Sequence, residues 1–211
     1  MRHVLVDRRA VSRLEELELD VELIERVIRR ADAEASMCTE LDPPIMEGMT
    51  RWGRTTRFLR EELVARGWSY DNPRNLARTI HPSGEFALVA ATGDEFTGVP
   101  DVQPSTKYRK GEATVAAVSL NVQLAFDFPE LEAAGVDDGD GDHPLLTWFL
   151  LFYPDEHEFR AEVSLPDGIM DGRISSWAER IIMPVYPRGP EPLFRDVPLA
   201  PEHVVVEVSR R

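Results

Sequence analysis

Lysine is nearly missing from this chain. Of its 24 cationic side chains 22 are arginine. The two lysines, Lys107 and Lys110, share one stretch, Gly93–Glu112, with Arg109 between them. Cysteine is scarcer still: Cys38 stands alone, which excludes a disulfide framework and suits a reducing cytoplasm. Long apolar runs are absent. The longest, Leu145–Tyr153, is far short of the roughly 20 residues a membrane helix needs, and His3-Val4-Leu5-Val6 is too short for a secretory leader. No G-x-S-x-G, G-x-x-x-x-G-K-[ST], C-x-x-C or H-E-x-x-H occurs, so no local signature of a serine hydrolase, P-loop, thiol redox or zinc site is present.

What remains is a soluble composition with a strong acidic bias. Hydrophobic residues make up 43% and charged residues 29%, enough of each for a packed core rather than a disordered chain. The formal net charge is −14 and is unevenly spread. The stretch Asp127–Asp171 holds thirteen acids against Arg160, whereas the first 66 residues balance fourteen acids with twelve arginines. Such a surface disfavours direct binding of nucleic acid or an anionic membrane and favours a basic protein partner.

Periodicity divides the chain. Apolar residues recur at helical spacing through Leu17, Val21, Ile24, Ile28, Ala31 and Ala35, with Asp20 as a cap. A second stripe, Ile45, Met49, Trp52, Thr56, Leu59 and Leu63, follows Asp42-Pro43-Pro44, read as an N-cap with proline at the first helical positions, and stops at Gly67. After Trp68 the period changes to two. Asn75–Ile80 and Phe86–Thr92 flank the turn Pro82-Ser83-Gly84; Leu146–Tyr153 and Phe159–Leu165 flank Pro154–His157. In the latter strand Phe159, Ala161, Val163 and Leu165 are expected inside, with Arg160, Glu162 and Ser164 outside. Ala113–Phe126 reads as a helix with Val115, Val118, Val122 and either Leu124 or Leu120 inward, and Ile174–Ile182 as a short helix. Pro184–Pro201 reads as an extended arm before a last strand, Val204–Val208. The expected fold is α+β in one domain, residues 1–211. Residues 1–67 form a helical hairpin; residues 68–211 hold a mostly antiparallel sheet of two β-hairpins and a terminal strand, with a further helix.

Candidate chemistry gathers in a few places. Lys107, Arg109 and Lys110, with Thr97 and Thr106, precede a helix start at Gly111–Thr114. Cations beside free helix amides suit phosphate or sulfate. Asp94 and Glu95 close the preceding strand, and Asp71 and Asn72 lie in an aromatic turn, where either pair could line a pocket or simply make Asx turns. Asp138, Asp140 and Asp142 alternate as calcium ligands do, but His143 replaces the loop glycine and Phe149 the bidentate glutamate, so calcium or another divalent metal is at best a weak fit and no cofactor is expected. The expected function is that of an acidic, cytoplasmic, non-enzymatic binding or accessory protein working through protein–protein contact. Two alternatives stay open: an enzyme or sensor for a small phosphorylated ligand at the Lys107–Lys110 loop, and a nucleic-acid mimic that inhibits a DNA-binding protein.

Overall fold

The computed structural model describes residues 3–125 and 145–188. Among them are four helices, α1 (Asp7–Glu16), α2 (Val21–Ala35), α3 (Met46–Val64) and α4 (Glu112–Ala125). Eight strands form one sheet: β1 (His3–Leu5), β2 (Ser69–Asp71), β3 (Arg78–Ile80), β4 (Phe86–Thr92), β5 (Leu146–Pro154), β6 (Glu158–Met170), β7 (Arg173–Ile182) and β8 (Tyr186–Pro187). The fold is α+β. The strand order is β1-β7-β6-β5-β4-β3-β2, and β8 extends the pairing of β6. Two pairs are parallel, β1 with β7 and β4 with β5, so the sheet is mixed. The second parallel pair follows from connectivity: α4 lies in the chain between β4 and β5, the arrangement a parallel crossover requires.

The helical stretch before Trp68 contains three helices rather than two. Glu18, at φ 54°, breaks the chain between α1 and α2. Asp20 then caps α2, its carboxylate accepting the Leu23 amide at 2.6 Å. Asp42 does not cap α3; it accepts the Thr39 amide in the preceding turn, and Ile45 holds the cap position. Leu23, Ile24, Val27, Ile28 and Ala31 of α2 pack with Phe58, Leu59 and Leu63 of α3 against Leu88, Ala90, Trp148, Leu150, Phe159, Ala161 and Val163 of the sheet. Alternation places Val89, Ala91, Phe149, Leu151 and Trp177 on the opposite face, with Val118 of α4. The sheet is therefore covered on both faces.

Three expectations change. Residues 174–182 are strand, not helix. The reason is the turn Asp171-Gly172, with φ of 52° and 75°, which suits a two-residue hairpin and folds β7 back along β6. The inward row of α4 is Thr114, Val118 and Asn121, while Val115 is exposed. Asn121 accounts for that choice, because its amide donates to the carbonyls of Thr147 and Pro166 and accepts the Thr147 amide. Glu162 and Ser164 are not in solvent but wholly buried beneath the loop that follows β4. Val204–Val208 lies outside the described residues, as do residues 127–144 with Asp138, Asp140 and Asp142.

Candidate functional site

The stretch from Gly93 to Gly111 is anchored from below by a buried ion pair. Arg180 donates to both carboxylate oxygens of Glu162, at 3.0 and 2.5 Å. Glu162 also accepts the Ser164 hydroxyl and the Gly98 amide. The remaining guanidinium donors reach the Val99 and Val102 carbonyls at 3.1 and 2.8 Å. Each charge thus has a full set of partners, the condition under which burial is tolerated. Further along, the Trp177 indole N–H donates to the Pro104 carbonyl at 2.9 Å. Thr106 exchanges backbone and hydroxyl bonds with Ile174, and the Lys107 and Lys110 amides bond the carbonyls of Thr92 and Gly172. Gly93 is obligatory here, since a Cβ would sit 1.9 Å from the Thr97 hydroxyl.

This scaffold divides the three cations. Lys107 is exposed, its amine 5.7 Å from the Tyr108 ring centre. It borders a polar recess of about 450 Å³ with Asp94, Glu95, Thr106, Tyr153 and Arg173. Burial pushes the Asp94 carboxyl up from its usual range, although it accepts the Ser105 and Phe96 amides. Arg109 lays its side-chain stem against Gly172 and, with Lys110, borders a second cavity. Thr97 and Thr106 are buried supports of the loop. Asp71 forms a two-point ion pair with Arg78, and Asn72 accepts from Arg60 at 2.9 Å. Neither lines the second cavity.

That cavity, about 400 Å³, is the site with the more distinctive chemistry. Its walls are the first half of α3, the outer edge of β4, the turn before β3, and the loop from Tyr108 to the start of α4. It exists because β3 is short. β3 pairs with β4 only through Leu88 and Ala87. The left-handed pair Arg74 and Asn75, at φ 48° and 65°, turns the incoming chain away, so among the described residues β4 has no strand neighbour on that side from Val89 onward. Trp52 takes part of the missing pairing, its indole N–H donating to the Ala90 carbonyl at 3.1 Å. The stripe read in the sequence is core only at its end: Leu59 and Leu63 are buried and Thr56 is partly so, whereas Ile45, Met49 and Trp52 remain 68%, 54% and 42% exposed at the cavity wall.

Lys110 is the cavity's cation of note. Desolvation lowers its pKa from 10.5 to about 8. Among the described residues it forms no ion pair. The N-terminal turn of α4, through Gly111 and Thr114, opens on the same space, and the Tyr108 hydroxyl lies beside Gly48 of α3. A desolvated amine with no ion-pair partner among the described residues, at a helix N-terminus in a mostly apolar cavity that Arg109 also borders, costs stability, and such groups concentrate at functional sites. The sequence signal for Lys110 was its rarity; the signals missed were Ile45, Met49 and Trp52. Among the described residues no cluster of three His, Cys, Asp or Glu is placed to hold a metal, and no helix is long and apolar enough to cross a membrane. No protein-family model matches the chain, and neither curated proteins nor solved structures provide a significant match.

Proposed function

We propose that this is a binding protein for a small, mostly apolar molecule carrying one anionic head group. The supporting observation is Lys110: a partly buried, desolvated lysine without a carboxylate partner among the described residues, on the wall of a mostly apolar cavity of about 400 Å³. A carboxylate or phosphate placed there offsets the desolvation of the ammonium, and the α4 N-terminus favours the same charge. Ile45, Met49, Trp52 and Phe149 offer the tail an apolar bed in which methionine adapts to shape. This reading keeps the small-ligand alternative but shifts its weight from Lys107 to Lys110 and from a polar to an amphipathic ligand. Recognition of a basic protein by the acidic stretch Asp127–Asp171, or mimicry of nucleic acid, draws in part on residues 127–144, outside the described part; of its described acids, Glu162 is buried against Arg180, and Asp155 and Glu158 lie beside Arg160, which leaves fewer free carboxylates for a partner.

The test is calorimetry and thermal unfolding with octanoate, octyl phosphate and octanol. The anions are expected to raise the melting temperature and octanol to do so far less, because ligands that bind the folded state alone stabilise it by mass action. Equal shifts from octanol and octanoate, or none from any of the three, overturn the reading.

A further inference from the structure

We infer that Lys110 is also a carbonyl-trapping amine, forming a reversible imine with apolar aldehydes or ketones that enter the cavity. The inference rests on the cavity reading above and extends it from charge pairing to covalent chemistry. Four observations carry it. Lys110 is one of the residues lining a space able to hold an apolar chain. It has no carboxylate partner among the described residues to hold it as ammonium. Its backbone is fixed by the Lys110 amide bond to the Gly172 carbonyl at 2.7 Å, so the side chain is presented from a rigid support. The Tyr108 hydroxyl lines the same space as a proton donor and acceptor.

The chemistry balances without an added reagent. The neutral amine forms a C–N bond to the carbonyl carbon while the oxygen takes up a proton, giving a carbinolamine. Loss of water breaks the C–O bond, the nitrogen gives up its remaining proton, and the imine remains; hydrolysis reverses each step. Burial supplies the neutral amine. With a pKa of about 8, Lys110 is roughly 10% neutral at pH 7, on the order of 100-fold more than an ordinary lysine. The helix N-terminus also disfavours the ammonium.

The chain carries its own control, since Lys107 is the only other lysine and is exposed three residues away. The experiment exposes the full chain to octanal with cyanoborohydride, then locates the alkylated amines by peptide mass spectrometry, with and without octanoate. Lys110 is expected to be trapped at least about tenfold faster than Lys107, with its rate rising towards a plateau above about pH 8. Lys110→Arg is expected to abolish fast trapping while leaving the melting temperature within a few degrees of the parent. Equal labelling of the two lysines, or labelling of Lys107 first, overturns the inference. Octanoate binding without selective trapping leaves the binding proposal standing and removes the imine. Selective trapping that octanoate does not slow keeps the imine and removes the anion.

Discussion

The two faces of the sheet are held by different physics. On one, α2 and the second half of α3 bury an apolar surface that includes Leu23, Ile24, Val27, Ile28, Leu59 and Leu63. On the other, among the described residues, α4 and a long loop cover a smaller apolar cluster that includes Val118, Phe149, Leu151 and Trp177, and are held in addition by polar bonds: Glu162 with Arg180, Asn121 with the Thr147 and Pro166 carbonyls, Trp177 with Pro104, and Thr106 with Ile174. The apolar face needs only shape and volume. The polar face fixes direction as well, because each bond has a donor, an acceptor and an angle. It is this second face that presents Lys110. Positioning a reactive or charge-pairing group calls for such directional support, and the buried ion pair supplies it at a site where an apolar pair would leave the loop carbonyls unpartnered.

Removing Arg180 should have the largest effect and should couple the two properties. Arg180→Met leaves Glu162 charged and buried and frees the carbonyls of Val99 and Val102. It should destabilise the protein by about 3–5 kcal/mol and also abolish ligand shifts at Lys110; denaturant unfolding and ligand titration check both. Leu59→Ala, on the opposite face, should cost about 2–5 kcal/mol by leaving a cavity, yet leave ligand affinity nearly unchanged at temperatures where the fold persists. If both variants lose binding alike, the two faces are not separable in the way described.

Lys110→Met should act in the other direction. The folded pKa of Lys110 is below its unfolded value, so the unfolded chain holds more protons between about pH 8 and 10.5. The contribution of this lysine therefore improves as pH rises through that window and is at its worst below it. Replacing it should stabilise the protein by about 1–3 kcal/mol at pH 7, with the gain shrinking towards pH 10.5. Chemical denaturation across pH resolves this, and a gain that grows with pH contradicts it. The smallest effect expected is from Asp20→Ala, which removes the α2 cap and should cost about 1 kcal/mol with no change at the cavity.

Much of the apolar face was legible in the sequence, because burial on one side of a helix imposes a period that residues 17–35 display openly. Phe86, Leu88, Trp148, Leu150, Phe159 and Val163 are buried on this face as the pattern indicated; Leu76 is buried on the opposite face, and Ile80 is partly buried. The polar face was not legible, for physical reasons. Glu162 and Arg180 alternate with apolar neighbours as surface residues do, and nothing local says that a loop will fold over them. Asp171-Gly172 did carry a hairpin signal, which the apolar spacing of residues 174–182 obscured. Ile45, Met49 and Trp52 share one helical stripe with Leu59 and Leu63. Which half meets the sheet and which half borders a cavity depends on where β3 ends, and Arg74 and Asn75 set that limit by adopting left-handed backbone.

Because the chain contains two lysines, nuclear magnetic resonance of protein labelled only at lysine reports each amine separately. Titrating both signals from pH 6 to 11, with and without octanoate, tests the central claim. The account predicts a midpoint for Lys110 near pH 8 that moves upward when octanoate binds, while the Lys107 midpoint stays in place. A Lys110 amine that titrates with Lys107 and ignores octanoate would contradict it.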